Sequence, residues 1–317
     1  MTRERTGELI SLGKTDVQVT PLGIGAWSWG DRFFWGFGGD YDEQDVRQAF
    51  DTSLEAGINF FDTAEMYGLG NSERLLGKFA RASGQSVVIA TKFAPLPWRL
   101  WKGRLLAALK GSLRRLSMDQ VDLYQLHYPF PLVSIEMLME GMAQAVERGL
   151  TRSVGVSNYN AGQMIKAQSI LAEHGIPLAS NQVIFSLLDR DIERDGLLDL
   201  CRQEQITVIA YSPLGQGVLT GKYTPENPPS GIRGRRYNRS YLEKIQPLIR
   251  RMREIGDDHD GKTPAQVALN WTICKGTIPI PGAKNGRQAH ENAGALGWQL
   301  SQDEVDALDH ASDKVAK

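Results

Sequence analysis

The sequence predicts an α/β protein built as a (β/α)8 TIM barrel, and three observations support this fold class. Eight short apolar runs alternate with segments of helical periodicity, as in a parallel sheet covered by helices. No run leads into G-x-G-x-x-G, the fingerprint of a doubly wound dinucleotide-binding domain. The chain has 317 residues, which suits one barrel, and no stretch rich in Pro, Gly or Ser divides it. We therefore predict a single domain over residues 1–317.

The strands are predicted from runs rich in Val, Ile, Leu and Phe, the composition of strands buried on both faces. They cover residues 21–27, 58–62, 87–92, 122–127, 153–158, 180–185, 207–212 and 277–282. Ahead of them, ELISLGKTDVQV alternates apolar and polar residues around a Gly-Lys turn. This segment predicts an N-terminal β-hairpin that closes the barrel floor.

The helices between these strands are predicted from apolar spacing and from capping residues. Residues 42–56 begin at Asp42, and residues 103–116 carry leucines at helical spacing. Thr263-Pro264-Ala265-Gln266 and Ser301-Gln302-Asp303-Glu304 are capping boxes that begin two later helices. Long segments at 27–41, 93–102 and about 213–240 follow strand ends, and we expect them to lie over the C-terminal face and to be functional.

Composition excludes several classes of function. The net charge is −1, from 36 basic and 37 acidic residues, so no overall field points to nucleic acid or to an anionic membrane. Two cysteines, Cys201 and Cys274, are too few for a disulfide framework or a cysteine-rich metal site. The N-terminus lacks the apolar core of a secretory signal, and no apolar run has the length of a membrane span. We expect a soluble, cytoplasmic protein.

Four reactive side chains gather at the ends of three successive predicted strands. Asp62 closes INFFD, Lys92 closes VVIATK and His127 closes DLYQLH, while Tyr67 follows Asp62 in DTAEMY. Because the active site of such a barrel lies at the C-terminal strand ends, we expect these side chains to converge.

The chemistry of this group indicates general acid catalysis on a carbonyl oxygen. A free tyrosine has a pKa of about 10, and a neighbouring ammonium lowers it. We predict that Lys92 supplies this charge, that Asp62 holds Lys92 by an ion pair, and that Tyr67 donates the proton. His127 would orient the carbonyl. Since no side chain donates hydride, the electrons must come from a cofactor.

The chain resembles the aldo-keto reductase family over almost its whole length. The resemblance rests on seven segments in the family's order: GINFFDTAEMYGLGNSERLLG, VVIATK, DLYQLH, SVGVSNYN, NQVIFS, YSPLGQGVLTGKY and IPGAKNGRQAHENAGAL. The family reduces aldehydes and ketones with NADPH as a freely dissociating cofactor, without metal. The resemblance therefore implies a small-molecule carbonyl substrate.

The resemblance also implies roles for individual residues. It implies a catalytic tetrad of Asp62, Tyr67, Lys92 and His127. The cofactor residues that it implies are Ser157, Asn158 and Gln182 on the nicotinamide amide, Tyr211 stacked on the nicotinamide ring, Ser212, Leu214, Gly215, Gln216 and Gly217 near the pyrophosphate, and Glu291 and Asn292 at the adenine.

One departure concerns the 2′-phosphate of NADPH. Many family members have a lysine directly after the Ile-Pro of the last strand and an arginine further on, where this chain has Gly282 and Gln288. We expect Lys284, Arg287 and Arg233 to supply the missing charge. NADPH remains the expected cofactor, with NADH as the alternative.

The substrate pocket is expected to be aromatic. Trp27 and Tyr128 each abut a strand end and are the first candidates to line it, with Trp29, Trp98 and Trp101 as further ones. This pattern favours a substrate with an apolar body, without naming it or the direction of the reaction.

The leading hypothesis is an NADPH-dependent carbonyl reductase, and two alternatives stay open. One is an NADPH-binding sensor or regulatory subunit with little turnover. The other is a lyase or isomerase that uses Lys92 as a Schiff base. Without an exposed heptad or obvious apolar patch, the sequence is compatible with a monomer or a weak homo-oligomer.

Overall fold

The computed structural model describes residues 9–96, 99, 103–130 and 133–315. Eight parallel strands follow one another around a sheet in chain order. They are β3 (Ile24–Gly25), β4 (Phe60–Asp62), β5 (Val88–Phe93), β6 (Val121–Leu126), β7 (Thr151–Ser157), β8 (Leu178–Ile184), β9 (Thr207–Tyr211) and β10 (Ile278–Pro279). Each of the eight predicted runs overlaps one of these strands, which confirms the (β/α)8 fold.

The first and last strands close this sheet into a barrel. Gly23 N donates to Pro279 O and Gly25 N donates to Pro281 O, both at 3.0 Å. Both strands are shorter than predicted. Prolines 279 and 281 have no N–H to donate, so the regular ladder cannot continue through them.

The helices lie between the strands, outside the barrel. They are α1 (Glu43–Glu55), α2 (Asn71–Ser83), α3 (Arg104–Leu116), α4 (Ile135–Glu147), α5 (Ala161–Glu173), α6 (Asp191–Arg194), α7 (Leu197–Glu204), α8 (Gly231–Arg236), α9 (Arg239–Asp258), α10 (Pro264–Cys274), α11 (Gly286–Ala293) and α12 (Gln302–Asp313). Asp42, Thr263 and Ser301 form the N-terminal capping boxes of α1, α10 and α12. Within the described ranges, every helix is too short or too polar to cross a membrane.

The predicted hairpin closes the floor of the barrel. It consists of β1 (Ile10–Ser11) paired antiparallel with β2 (Gln18–Val19). Its turn contacts the N-terminal strand ends, since Gly13 N donates to Thr207 Oγ1 at 2.7 Å. Leu12, Val17 and Val19 are fully buried against the barrel interior.

The barrel interior changes character along its axis, and this change positions the site. Near the floor, the inward side chains are apolar and pack with the hairpin; they include Phe60, Val88, Ala90, Leu123 and Ile209. One step further along the same strands, the buried side chains are Asp62, Lys92, Gln125 and Gln182. A polar layer therefore lies directly above an apolar plug, at the C-terminal ends of the strands.

Candidate active site

Lys92 is the centre of the predicted catalytic group. Its side chain is 0% exposed and forms an ion pair with Asp62 Oδ1 at the end of β4. It also donates to Thr63 O at 2.9 Å and approaches Tyr67 Oη at 3.4 Å. The structure therefore brings three of the four predicted residues together, with the ammonium between the carboxylate and the phenol.

The second oxygen of Asp62 is held by two amides. Gln125 Nε2 donates to Asp62 Oδ2 at 3.0 Å, and Gln182 Nε2 donates to the same oxygen at 2.9 Å. Gln125 was not predicted as a site residue. The sequence did indicate it, because side chains alternate along a strand and DLYQLH therefore places Gln125 on the same face as Leu123 and His127.

The pKa of Tyr67 is raised above its ordinary value of 10.0, mainly by burial of the phenol. The charge of Lys92 lowers the pKa and that of Asp62 raises it, so the ammonium only partly offsets the loss of water. The predicted lowering by Lys92 is present, but burial outweighs it. The phenol consequently keeps its proton at neutral pH.

His127 follows β6 directly and is neutral. Burial, followed by the charge of Lys92, lowers the pKa of its imidazole from 6.5 to about 3. The ring stands edge-on to Tyr67, with centroids 5.6 Å apart. Its Nδ1 is sealed from solvent without a hydrogen-bond partner among the described residues. A neutral imidazole can donate a hydrogen bond to a carbonyl oxygen without adding charge.

A cavity of about 690 Å³ opens over these residues at the C-terminal face. It is bordered by Trp27, by Tyr128 and by all the residues predicted for catalysis and for the cofactor except two. Lys92 lies beneath the surface. Gly215 packs behind the wall, where a Cβ would come within 2.8 Å of Leu188 Cδ1. The lining residues that sequence reasoning missed include Trp35, Thr220, Lys222, Tyr223 and Ala265.

The residues implied to hold a nicotinamide form one hydrogen-bonded group at the ends of β7, β8 and β9. Ser157 Oγ donates to Gln182 O at 2.7 Å, and Asn158 Nδ2 donates to Ser157 Oγ at 3.0 Å. Tyr211 Oη donates to Asn158 Oδ1 at 3.0 Å. Gln182 uses its Nε2 on Asp62, so its Oε1 is the atom left to accept a hydrogen bond from a ligand amide.

The segment after β9 turns back on itself through left-handed residues. Ser212, Gln216 and the glycines Gly215 and Gly217 have φ between 52° and 93°. Such a run is accessible mainly to glycine and costs other residues some strain. It lines the cavity with Ser212, Leu214, Gln216 and Gly217.

Four cations border the cavity: Lys222, Arg233, Lys284 and Arg287. Lys284 Nζ donates to Trp35 O at 2.8 Å, and Arg233 Nη1 donates to Tyr223 Oη at 3.3 Å. In the described part of the chain, none of the four has a carboxylate within ion-pair distance. Burial, then the charges of Arg233 and Lys222, lower the pKa of Lys284. The charges of Asp40 and Asp31 act in the opposite direction, but neither forms an ion pair with Lys284 in the described part of the chain, so the cavity keeps a group of unpaired cations.

The two positions that depart from the family pattern play other parts. Gln288 Oε1 accepts from Lys284 N at 2.9 Å, and Gly282 O accepts from Asn292 Nδ2 at 3.3 Å. Both contacts fix the backbone around the cations. Glu291 accepts from Thr263 Oγ1, at the start of α10.

An aromatic wall bounds the end of the cavity nearest Tyr67. The Trp27 ring stacks on Phe34, with centroids 5.2 Å apart, and lies 6.1 Å from the Tyr67 ring. Tyr128 lies beside His127, with the centroids of these two rings 5.7 Å apart. Trp29 is instead a core residue, fully buried with its Nε1 on Ala283 O at 2.8 Å. Trp98 and Trp101 lie outside the described residues.

Comparison with known proteins gives a consistent picture. The Aldo/keto reductase family matches residues 21–313. The chain is 44% identical over 315 residues to the chloroplastic pyridoxal reductase of Arabidopsis thaliana, covering 95% of this chain and 85% of that protein. Its fold is similar to that of an aldo/keto reductase from Klebsiella pneumoniae solved with NADP and acetate, with a TM-score of 0.75, 30% identity, and 96% and 94% of the two chains covered. A glycerol dehydrogenase from Gluconobacter oxydans superposes with a TM-score of 0.83 at 25% identity, covering 98% and 95% of the two chains.

Proposed function

This chain belongs to the aldo/keto reductase family, and we propose that it reduces a small aldehyde or ketone to the alcohol with NADPH. The observation that carries the proposal is the layout of one cavity. A protonated phenol, a neutral imidazole and four cations border it together, and among the described residues none of these cations has a carboxylate within ion-pair distance.

The residues present fit NADPH along the length of this cavity. The hydroxyl and amide groups of Ser157, Asn158 and Gln182 suit a carboxamide, and the Tyr211 ring suits the face of a nicotinamide. Lys222, Arg233, Lys284 and Arg287 suit the phosphates, including a 2′-phosphate, because phosphate is recognised by clustered cations. The relative from Klebsiella pneumoniae was solved with NADP, which supports the same assignment.

When bound, NADPH supplies the hydride, and thus two electrons, to the carbonyl carbon, leaving NADP⁺. We assign the matching proton to Tyr67, which would donate it to the carbonyl oxygen as the oxygen gains charge. The alcohol then carries one hydrogen from each source. The raised pKa of Tyr67 suits this role, since the phenol holds its proton until an oxygen more basic than itself forms.

Lys92 and His127 would prepare this transfer. The Lys92 ammonium, 3.4 Å from the phenol oxygen, stabilises the phenolate that remains after the proton leaves. The ion pair with Asp62 keeps the ammonium charged and in place although it is buried. His127 would donate a hydrogen bond to the carbonyl oxygen and aim it at Tyr67.

Pyridoxal is the substrate that we propose to test first. The Arabidopsis relative is a pyridoxal reductase by name, at 44% identity. Pyridoxal is a planar aromatic aldehyde, and rings of this kind stack favourably on aromatic side chains such as Trp27 and Tyr128. The carbonyl would then point towards Tyr67 and His127.

The burial of Lys92 argues against the Schiff-base alternative. Its side chain is 0% exposed, does not border the cavity and is paired with Asp62. A nucleophilic amine needs access to the substrate and a free electron pair, and this environment favours neither. The sensor and the reductase would both bind NADPH, so only a measurement of turnover distinguishes them.

The test is NADPH oxidation with pyridoxal, aromatic, aliphatic and dicarbonyl substrates, run beside NADH. Tyr67→Phe serves as the inactive control, because it removes the proton donor and leaves the buried pair of Lys92 and Asp62 intact. Turnover that disappears in this variant supports the reductase. Tight NADPH binding without turnover on any substrate would favour a sensor, and absence of NADPH binding would contradict the proposal.

A further inference from the structure

Two buried glutamines from different strands meet on one oxygen of Asp62. Gln125 is 0% exposed and Gln182 is 2% exposed, and each donates its Nε2 hydrogen to Asp62 Oδ2. Gln182 Nε2 also lies 3.2 Å from Gln125 Oε1. We refer to this pair as the amide clamp.

A glycine makes room for the amide clamp. Gly155 on β7 is the register partner of Gln125 on one side and of Ser180 on the other. A Cβ at this position would lie 2.3 Å from Ser180 Oγ and 3.3 Å from Gln125 Cγ. Because β7 presents no side chain here, groups from β6 and β8 can approach each other across it.

The two glutamines differ in what else they touch. Gln182 borders the cavity, and the proposed function gives its remaining oxygen to the cofactor. Gln125 does not border the cavity, and among the described residues its side-chain hydrogen bonds join it to Asp62 and Gln182, while on β5 its register partner is Lys92. Gln125 is therefore the donor that stays on Asp62 whatever Gln182 does during turnover.

We propose that Gln125 is a positioning residue, which fixes the Asp62 carboxylate so that its Oδ1 stays on Lys92 and the ammonium stays beside Tyr67. A carboxylate that is 1% exposed needs donors for both oxygens. Without Gln125, Oδ2 depends on Gln182 alone, which also faces the cavity, and the carboxylate is freer to rotate. This inference rests on the proposed reductase function, because the position of Lys92 affects the rate only if Tyr67 donates a proton during the reaction.

The first test is Gln125→Met, which keeps the length of the side chain and removes both hydrogen-bonding groups. We expect kcat to fall by about 10- to 100-fold, as for other residues that orient a group in the site. The Kd of NADPH, followed by quenching of protein fluorescence, should stay within about threefold because Gln182 and the cavity wall remain.

The matched control is Ser180→Ala. Ser180 is also buried at the level of Gly155, but its Oγ has no hydrogen-bond partner in the described ranges. We expect this variant to keep the wild-type kcat. A Gln125→Met variant that folds, binds NADPH and keeps the wild-type kcat would overturn the proposal.

Gln125→Glu separates donation from packing. The substitution is nearly isosteric. Lys92 on β5 lowers the pKa of the new carboxyl, but Lys92 is already paired with Asp62, so burial and the Asp62 charge together raise this pKa above the ordinary Glu value of about 4.3. Its protonated form can donate to Asp62 as the amide does, whereas its ionised form repels Asp62. At about pH 5.5 we therefore expect the variant to turn over at least fivefold faster than Gln125→Met. Equal rates for the two variants from about pH 5 to 9 would mean that only packing matters, and would overturn the proposal.

A measurement without substrate or cofactor tests the contact itself. Since the folded state of Gln125→Glu binds the proton more tightly than the unfolded state, its free energy of unfolding should fall as pH rises above about 4.3. Adding Asp62→Asn should remove most of this extra slope, because the repelling charge is gone. If the slope is unchanged by Asp62→Asn, Gln125 does not act on Asp62. If the coupling is present but the wild type reduces no carbonyl, the proposed function fails and the inference about catalysis fails with it.

Discussion

The fully buried Lys92 ammonium lies 3.4 Å from the Tyr67 phenol oxygen, and its charge is balanced by an ion pair with Asp62. This arrangement explains why the pKa of Tyr67 is raised although a cation lies beside it. Asp62 cancels much of the field that the phenol would otherwise feel, and burial removes the water that would stabilise the phenolate. Tyr67 therefore stays protonated before the reaction, and the Lys92 ammonium stabilises its phenolate after the proton has left.

Replacing Tyr67 by Phe should abolish most of the turnover. The variant lacks the proton donor, and general acid catalysis contributes about 10²- to 10⁴-fold to the rate, so kcat should fall by that factor while the Kd of NADPH hardly changes. Steady-state kinetics and a fluorescence titration measure the two quantities. Tyr159→Phe is the control, since it removes a buried hydroxyl without a partner among the described residues. Undiminished turnover in Tyr67→Phe would refute the assignment of the acid.

Replacing Lys92 by Met should destabilise the protein as well as inactivate it. The substitution leaves the Asp62 carboxylate buried without its counter-ion, which costs about 3–5 kcal/mol in comparable buried pairs. The double variant Lys92→Met with Asp62→Asn removes both charges and should recover part of this loss, yet remain inactive. Urea unfolding measures the free energies. If the double variant is no more stable than the single one, the buried pair does not account for the effect.

Removing the cations Lys284 and Arg287 together should change the preference between cofactors. Hydrogen bonds to charged groups contribute about 1.5–3 kcal/mol each, so the Kd of NADPH should rise by at least about tenfold, and that of NADH much less. Arg251→Ala is the control, because Arg251 pairs with Glu254 on α9. Equal losses for both cofactors would place the 2′-phosphate elsewhere, with Lys222 and Arg233 as the next pair to change.

His127 should make the protein sensitive to acid. Its pKa is 6.5 when unperturbed and about 3 in the fold, so between these values the unfolded chain binds more protons than the folded one. The free energy of unfolding should therefore fall as pH drops from about 6.5 to about 3. In His127→Asn this contribution is lost. Denaturant unfolding at several pH values measures the difference between the two proteins, which should change across this window. A difference that stays constant with pH would contradict the neutral, buried imidazole.

Trp27→Ala should weaken the binding of aromatic substrates more than that of aliphatic ones. The ring is 36% exposed and forms the wall between Phe34 and Tyr67. A stacked aromatic contact is worth about 0.5–1.5 kcal/mol, so KM for pyridoxal or benzaldehyde should rise by about two- to tenfold. KM for short aliphatic aldehydes should change less. Equal changes for both classes would indicate that Trp27 supports the loop rather than the substrate.

Much of the fold and of the site followed from where side chains fall on strands. Asp62, Lys92 and His127 were predicted to converge because each ends an apolar run, and the structure places Asp62 and His127 on one cavity, with Lys92 directly beneath it. The period of the strands also contained Gln125, but a buried amide has no chemical signature until its partner is known.

Other features depended on contacts that the sequence does not encode locally. Lys222 and Trp35 lie in loops, and only their meeting with Lys284 and Arg233 at one cavity gives them a role. The pKa of Tyr67 depends on the balance between burial and two charges, which spacing alone cannot supply. The first and last strands are short because their ladder runs into glycine and proline, and an apolar pattern does not reveal this limit.

The closing contact of the barrel is a seam between the two ends of the chain. Gly25 from the first strand and Gly282 from the last are bridged there, and both border the cavity. Trp29 Nε1 spans 254 positions to reach Ala283 O at the same place. A chain that lacks its last strand therefore cannot form this wall of the site. A ligand that binds the wall binds only the folded state in which the first and last strands are paired. A cofactor present at 100 times its Kd would stabilise that state against unfolding by about 2.7 kcal/mol, so cofactor binding would stabilise the closed barrel as well as supply the reaction.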